Sequence, residues 1–330
     1  MSDLLAVVGE QAALRRILPR LPHAADERLG PGDDAAVLAV PDGRLVLTTD
    51  VMVEGPDFRL AWSLPHELGW KAAATNFADV AAMGAVPTGL LVALTAPGST
   101  PVGLLEGIAD GLAAACAALA PGCGVLGGDL TVSPVLTLAV TAVGGLAGRP
   151  PVRRDGARPG DVVAYAGRLG LAAAALRLLA APGADLDGLR AERGTLLAEQ
   201  LAPAPPLTAG PAAAAAGATA MLDVSDGLLL DAGRIAAASG GALDLDKGAL
   251  EPFAEAVRSA APELSTQAVE LVLTGGEDHG LLACFPPDVP LPTGFAPLGV
   301  VRSGAGVVQL GGEPADRERP GWDSFTGPML

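Results

Sequence analysis

The sequence predicts an α/β or α+β fold of two domains, and three observations support this. Short apolar segments typical of strands alternate with longer segments of helical periodicity in both halves of the chain. The chain has 330 residues, which exceeds the usual size of one domain. A polar segment at 148–161, GRPPVRRDGARPGD, carries four arginines and three prolines. We place the boundary there and predict domains at 1–148 and 149–330.

The first half is predicted to begin with an amphipathic helix over LLAVVGEQAALRRILPRL (4–21). Strands are predicted over AAVLAV (35–40) and RLVLTTDVMV (44–53), with a PDG turn between them. A helix should start near Pro65 and end at Gly84, a residue suited to a helix C-terminus. The remaining segments predict a strand (88–97), a helix (104–120) and two further strand regions (124–131 and 134–147).

The second half repeats the mixture of strands and helices. VVAYAG (162–167) predicts a strand, GLAAAALRLLA (170–180) a helix, and the Pro/Ala-rich segment 203–218 leads into another helix. The segment 218–240 predicts strand, acidic turn and helix, and ELVLTGGEDHGLLACF (270–285) predicts strand, glycine turn and strand. GVVQLGGEPADRERPGWDSF (306–325) predicts a strand hairpin followed by a loop tail.

Charge and composition exclude several classes of protein. The net charge of -16 and an aromatic content of 3% argue against nucleic-acid and anionic-membrane binding, because both need a basic face. Three cysteines without CxxC spacing do not predict a disulfide framework or a zinc site. The N-terminus lacks a signal-peptide pattern, and no apolar run reaches the roughly 18 residues of a membrane span. We expect a soluble, cytoplasmic protein.

The informative residues are acidic and lie in glycine turns or at strand ends. They are Asp33 and Asp34 (GPGDD), Asp50 (LTTDV), Asp79 (NFADV), Asp129 (GGDLT), Asp223 and Asp226 (DVSDG), and Glu277 and Asp278 (GGEDH). Buried carboxylates must be paired or bound to a cation, and no arginine or lysine is expected beside these sites. Mg²⁺ suits them, because it bridges carboxylates to substrate phosphates. No Walker A motif, kinase glycine loop or Ser-His-Asp arrangement is present, so metal-assisted phosphoryl transfer fits best.

In order, the motifs GPGDDAAVL, LTTDVMVEGPDF, KAAATNFADVAAMGAVPTGLLVAL, GGDLT, DVSDGLLLDAGRIA and LTGGEDHGLL resemble the thiamine-monophosphate kinase family. That family belongs to the superfamily of aminoimidazole ribonucleotide synthetase (PurM). The resemblance implies an N-terminal mixed sheet with helices on one face and a C-terminal α/β domain. It also implies ATP-dependent phosphorylation of thiamine monophosphate to thiamine diphosphate by direct in-line transfer with several Mg²⁺ ions. A homodimer with paired N-terminal sheets is implied as well.

The same resemblance implies roles for individual residues. The implied Mg²⁺ ligands are Asp34, Thr48, Thr49, Asp50, Asp79, Asp129 and Asp223, with Asp226 holding a metal near the transferred phosphate. Gly128, Asp129, Arg154 and Ser225 are implied to contact ATP, and Arg153 is an alternative to Arg154. Glu277 and Trp322 are implied to meet the thiamine moiety, and no covalent nucleophile is implied.

Two departures from the family pattern concern the substrate. The family usually has a histidine in EGxHF, where this chain has Asp57, so Asp57 needs a metal beside a phosphate or faces the cationic thiazolium. The family's GGEDYEL becomes GGEDHGL, with His279 and Gly280 in place of a tyrosine and a glutamate. The alternatives are a related kinase or ATP-dependent synthetase that acts on another small phosphate or amine acceptor, and a non-catalytic nucleotide-binding homologue.

Overall fold

The computed structural model describes residues 3–31, 35–315, and 321 and 322. The chain divides into two compact units. The first runs to Val80 and resumes over Val86–Gly148, and the second consists of Ala81–Ala85 and the chain from Arg149 onward.

The first unit is built on a four-stranded mixed sheet. Its elements are α1 (Leu5–Val8), α2 (Glu10–Ile17), a 3-10 turn (Leu18–Arg20), β1 (Glu27–Leu29), β2 (Val37–Leu38), β3 (Val46–Val53), α3 (Pro65–Ala82), β4 (Val86–Ala96), α4 (Val102–Leu119), β5 (Gly124–Val132) and β6 (Thr137–Gly145). The strand order is β3-β6-β4-β5, in which β4 and β5 are parallel and the other pairs antiparallel. β1 and β2 form a separate antiparallel pair.

Helices α3 and α4 pack closely through glycines. A Cβ on Gly69 would lie 1.9 Å from the carbonyl oxygen of Ile108, and one on Gly111 would lie 2.0 Å from that of His66. Only glycine permits this backbone approach. Among the described residues, α4 is the one helix long and apolar enough to span a membrane. Half-buried in the first unit, it packs closely against α3, as a core helix does.

The second unit is a seven-stranded sheet with helices. Its elements are β7 (Val162–Ala166), α5 (Leu171–Leu179), α6 (Leu186–Leu201), α7 (Ala209–Ala215), β8 (Ala220–Val224), α8 (Leu228–Ser239), β9 (Gly241–Leu245), α9 (Lys247–Ala260), a 3-10 segment (Pro262–Gln267), α10 (Ala268–Thr274), β10 (Gly280–Phe285), β11 (Phe295–Ser303), β12 (Val307–Leu310) and β13 (Glu313–Pro314). The order is β13-β12-β9-β11-β7-β10-β8, antiparallel except for β12 with β9.

The predicted fold class is confirmed, with differences in single elements. The opening helix is two helices, because Gly9 takes a φ of 78° between α1 and α2. The predicted strand before GGED is wrong: Ala268–Thr274 is helix α10, with Leu271, Val272 and Leu273 buried. Short apolar runs of this kind fit a buried strand and a buried helix equally well.

Four elements of the second unit were not predicted: α6, β9, α9 and β11. Helix α6 carries two glycines and has non-helical backbone angles at Arg193, which weakens its periodicity. Strand β9 is short, fully buried and contains Asp244, a residue depleted in strands.

Candidate active site

The first unit brings three of the predicted metal ligands to the helix-covered side of its sheet. Thr48 Oγ1 donates a hydrogen bond to Asp79 Oδ2 at 2.8 Å, which joins β3 to α3. Asp50 lies two residues further along β3, and side chains alternate along a strand, so Asp50 shares this side with Thr48. Asp50 is exposed, and Asp79 is half-buried.

Thr49 and Asp129 lie on the opposite, open face. Thr49 Oγ1 donates to the Val140 carbonyl at 3.0 Å and accepts from Thr141 Oγ1 at 3.1 Å. On β5, Asp129 lies opposite Ala93 of β4 in the strand register. The register across the four strands places the Asp129 and Thr49 side chains on the same face of the sheet. Two strands separate β3 from β5, so within this unit one ion cannot touch the Asp50 and Asp129 carboxylates together.

A cavity of about 770 Å³ opens beside Gly128 and Asp129 in the first unit. Its wall is largely aliphatic and includes Leu105, Ile108 and Leu112 of α4. Gly128 is required by packing as well, because a Cβ there would lie 1.9 Å from the Val92 carbonyl oxygen. The cavity has the size of a small-molecule site with few polar groups at its rim.

The donor set fits Mg²⁺ held through phosphates. No group of three or more His, Cys, Asp or Glu side chains at metal-binding spacing occurs among the described residues. A protein cage of carboxylates is therefore absent from that part of the chain. Mg²⁺ needs only one or two carboxylates when substrate phosphates and waters complete its shell, and Asp79 and Asp50 are carboxylates on one side of the sheet that would meet this need. Asp33 and Asp34 lie outside the described residues.

In the second unit the acidic turn after β8 is held by a side chain from α8. The buried carboxylate of Asp231 accepts hydrogen bonds from the backbone N–H groups of Ser225 at 3.1 Å and Asp226 at 3.0 Å. Burial raises the pKa of Asp231 to about 6, although the hydrogen bond from the Asp226 N–H and the charge of Arg234 both lower it. Asp231 therefore fixes the loop that presents the Ser225 hydroxyl and the Asp226 carboxylate.

Arg234 of α8 also contacts this turn. Its guanidinium contacts Asp226 Oδ2 at 2.6 Å and also pairs with Asp231. The expectation that no arginine or lysine pairs with the acidic residues is thus wrong at Asp226. A metal held by Asp226 would have to share this carboxylate with the guanidinium of Arg234. The DGLLLDAGR segment carried the signal, because Asp231 and Arg234 are three apart on one helix face.

The GGED turn lies against the same loop. Glu277 has a left-handed φ of 70°, and its N–H donates to the Ser225 carbonyl at 2.7 Å. The next residue points the other way, since the half-buried carboxylate of Asp278 accepts from the N–H groups of Gly170 at 2.7 Å and Ala172 at 3.4 Å. Burial raises the pKa of Asp278 to about 8, although both hydrogen bonds oppose the rise.

His279 completes the cluster. Its Nδ1 lies 3.5 Å from Asp223 Oδ2 and its Nε2 lies 3.8 Å from Glu277 Oε2. Burial opposes the charged ring, but the two carboxylates outweigh it and raise the pKa of His279 to about 10. These distances are those of ion pairs rather than of hydrogen bonds.

Trp322 is tied to the acidic turn through its backbone. Its N–H donates to the Asp226 carbonyl at 2.7 Å, and the side chain is half-buried. The second unit thus gathers its predicted site residues Asp223, Ser225, Asp226, Glu277 and Trp322 around two turns.

Arg154 and Asp57 each make a contact within their own unit. Arg154 is exposed, and its carbonyl accepts a hydrogen bond from Ser239, whereas Arg153 pairs with Asp155. Asp57 Oδ2 accepts from the Val53 N–H at 2.7 Å and so closes the turn at the end of β3.

Comparison with known proteins decides which family this architecture belongs to. Residues 32–146 match the family model described as AIR synthase related protein, N-terminal domain. Thiamine-monophosphate kinase of Mycobacterium tuberculosis (strain H37Rv) is 42% identical over 327 residues, which cover 99% of this chain and 95% of that protein. The chain belongs to the thiamine-monophosphate kinase family.

Other members of the thiamine-monophosphate kinase family agree. The enzyme of Corynebacterium glutamicum is 42% identical over 273 residues, which cover 82% of this chain and 80% of that protein. The crystal structure of the kinase from Aquifex aeolicus has a TM-score of 0.74 and 30% identity, covering 86% of this chain and 92% of that one. A structure described as AaThiL complexed with AMPPCP and TMP has a TM-score of 0.73 and 30% identity, covering 96% and 97%.

Three residues of this thiamine-monophosphate kinase family member were missed as parts of the site. Asp231 and Arg234 hold the DVSDG turn, and His279 lies between two of the acidic residues. His279 is a lone histidine in sequence, and nothing in the spacing of the chain shows that Asp223 and Glu277 flank it.

Proposed function

We propose that this protein transfers the γ-phosphoryl group of ATP to the phosphate of thiamine monophosphate and so produces thiamine diphosphate and ADP. The observation that carries the proposal is 42% identity to a thiamine-monophosphate kinase over 99% of the chain. A related solved structure is described as a complex with AMPPCP and TMP, which are an ATP analogue and the acceptor of this reaction.

The reaction is a direct in-line displacement. A phosphate oxygen of thiamine monophosphate forms a bond to the γ-phosphorus while the bond from that phosphorus to the β,γ-bridging oxygen breaks, and ADP leaves. Bound Mg²⁺ neutralises the charge on the phosphates and orients them. The protein has no covalent step to perform, so its residues bind, orient and exclude water.

In the first unit we assign nucleotide and metal binding. Asp50, Asp79 and Thr48 supply hard oxygen ligands for phosphate-bound Mg²⁺ on the helix-covered side of the sheet, with Asp34 assigned by motif alone. The aliphatic cavity beside Gly128 and Asp129 suits a nucleobase, which here meets leucine and isoleucine side chains rather than an aromatic ring.

In the second unit we assign the acceptor and a further metal. Asp223 and Asp226 supply carboxylates for a metal, and Ser225 presents its hydroxyl to ATP from the loop that Asp231 holds. Glu277 and Trp322, fixed to the same loop by backbone hydrogen bonds, are the residues assigned to the thiamine moiety. Arg154 is assigned to ATP, and its exposed side chain leaves it accessible to a nucleotide.

Asp57 is assigned a structural role first. Its Oδ2 accepts from the Val53 N–H, so the residue shapes the turn that follows β3. A contact between this carboxylate and thiamine monophosphate would be made to the cationic thiazolium rather than directly to the phosphate, since two anions repel.

We further propose a homodimer formed through the open face of the four-stranded sheet. Leu47 and Val51 on β3 and Leu91 on β4 lie on that face and are 63%, 54% and 41% exposed. A second copy of the chain that covers this face would remove the apolar patch from water. It would also bring Thr49 and Asp129, which share the face, into the interface. We propose a cytoplasmic location.

The function is tested by incubating the pure protein with ATP, Mg²⁺ and thiamine monophosphate and measuring thiamine diphosphate by chromatography. We expect product that depends on all three components. Tight ATP binding without product would overturn the kinase assignment, and ADP release only with another acceptor would assign a related kinase.

Light scattering of wild type and of Leu47→Asp tests the dimer. We expect a dimeric wild type and a monomeric variant, and a monomeric wild type would refute the dimer.

A further inference from the structure

His279 is a buried and backbone-strained histidine at the start of β10. The residue is 6% exposed, its φ is 50°, and the six residues of β10 that follow are all buried. Neither ring nitrogen has a hydrogen-bond partner among the described residues. An apolar side chain would pack here without burying two such nitrogens, so packing alone does not explain a histidine.

The ring lies between carboxylates of two different turns. Asp223 at the end of β8 faces Nδ1 at 3.5 Å, and Glu277 of the GGED turn faces Nε2 at 3.8 Å. The Asp223 and Glu277 side chains are 13% and 36% exposed, so neither side chain is fully buried. Each nitrogen of the ring therefore faces a different carboxylate.

The backbone at this position explains why the ring can reach both. Glu277 and His279 take left-handed φ values of 70° and 50°, while Asp278 between them turns toward the N-terminus of α5. The His279 N–H donates to the Val224 carbonyl at 2.8 Å, and the Glu277 N–H donates to that of Ser225. The turn thus brings the Glu277 and His279 side chains to the acidic loop together.

We propose that His279 is a positioning residue for the acceptor substrate: its Nε2 edge holds the Glu277 carboxylate toward the cationic part of thiamine monophosphate, and its Nδ1 edge holds the Asp223 carboxylate. This inference rests on the proposed function. The two edges have separate tasks, since Glu277 is assigned to the acceptor and Asp223 to a metal. Loss of Nε2 alone should therefore weaken acceptor binding, and loss of Nδ1 alone should weaken metal binding.

Three substitutions separate the two edges. His279→Asn keeps an amide near the position of Nδ1, His279→Gln keeps one near Nε2, and His279→Phe keeps the ring and removes both nitrogens. Asparagine also tolerates a left-handed φ. For each variant the readouts are KM for thiamine monophosphate, KM for ATP, kcat, the Mg²⁺ concentration at half-maximal rate, and Tm. Calorimetry with thiamine monophosphate and a non-hydrolysable ATP analogue measures acceptor binding without turnover.

We expect His279→Phe to raise KM and Kd for thiamine monophosphate about 10- to 100-fold, a range taken by analogy from partners that orient metal ligands. KM for ATP should stay within about twofold. His279→Gln should recover most of the acceptor affinity but require more Mg²⁺. His279→Asn should show the reverse, with normal Mg²⁺ dependence and weak acceptor binding.

The inference is overturned if His279→Phe binds thiamine monophosphate as the wild type does, or if Gln and Asn variants are equally impaired in both readouts. A Phe variant that does not fold leaves the Gln and Asn comparison to decide. A wild type that binds thiamine monophosphate but does not phosphorylate it overturns the proposed function and leaves the acceptor-binding arm intact. His66→Phe, at an exposed position on α3, is the matched control and should change none of these values.

Discussion

Asp278 should be a main determinant of the stability of the second unit. Its two carboxylate oxygens accept the N–H groups of Gly170 and Ala172 at the start of α5, a helix end that has no cap from its own N-cap residue. Asp278→Ala leaves both buried donors without an acceptor. At about 1–3 kcal/mol for each unsatisfied donor, and with some relief from rearrangement, we expect a loss of about 2–4 kcal/mol.

Thermal and urea denaturation measure this effect. For a domain of this size a loss of about 2–4 kcal/mol lowers Tm on the order of 10 °C. Asp278→Asn keeps one acceptor oxygen and should lose about half as much at pH 7. A Tm of the Ala variant within about 2 °C of wild type would refute the assigned role of the carboxylate.

The pH dependence of the Asn variant is a sharper test. Burial raises the pKa of Asp278 to about 8, so the folded state keeps a proton that the unfolded state has already lost above about pH 4. Wild type therefore loses stability between about pH 4 and 8, at up to about 1.4 kcal/mol per pH unit, and the Asn variant does not. The Asn variant should become the more stable protein near pH 9, and the reasoning fails if it stays less stable there.

Three further outcomes are expected. Asp50→Ala should abolish turnover with little change in Tm, because Asp50 is an exposed candidate metal ligand, and near-normal turnover would remove it from the site. The two carboxylates raise the pKa of His279 to about 10, so the protonated ring contributes its full stabilisation below about pH 6.5 and loses it as the pH rises toward 10. In EDTA the free energy of unfolding of wild type should therefore fall more steeply across that range than that of His279→Phe. Parallel curves for the two proteins would contradict this. Gly128→Ala should lower Tm by several degrees or displace β5, because the new Cβ would lie 1.9 Å from the Val92 carbonyl oxygen. Gly148→Ala is the control: its Cβ would meet no atom within 4 Å, and the φ of 81° should cost only about 1 kcal/mol. Equal Tm values for the two variants would rule out the close contact at Gly128.

The fold class and most elements of the first unit could be predicted because their hydrophobic patterns are long and unambiguous. Helix α3 begins at Pro65, as the capping signals indicated. The second unit was harder, since α10 has the composition of a strand and α6 has little periodicity. What decides these segments is the surface they pack against, which the local sequence does not contain.

The candidate site could be predicted only where residues lie in recognisable turns. The motifs identified the acidic residues, but they could not show that Asp226 pairs with Arg234 or that His279 lies between Asp223 and Glu277. The contacts of His279 depend on β8 and β10 being neighbours in the sheet, although more than 50 residues separate these strands in the chain. The sequence motif also treats Thr48 and Thr49 alike, whereas the side chains of these adjacent residues lie on opposite faces of β3.

That last feature makes β3 intolerant of changes in length. Thr48 and Asp50 face α3, while Leu47, Thr49 and Val51 face away from it. Inserting or deleting a single residue near Val46 would exchange the two sets, because a shift of one position turns every side chain to the other face. The insertion would direct leucine and valine toward α3 and leave aspartate on the apolar face. A surface loop tolerates a change in length, but β3 has to keep its number of residues.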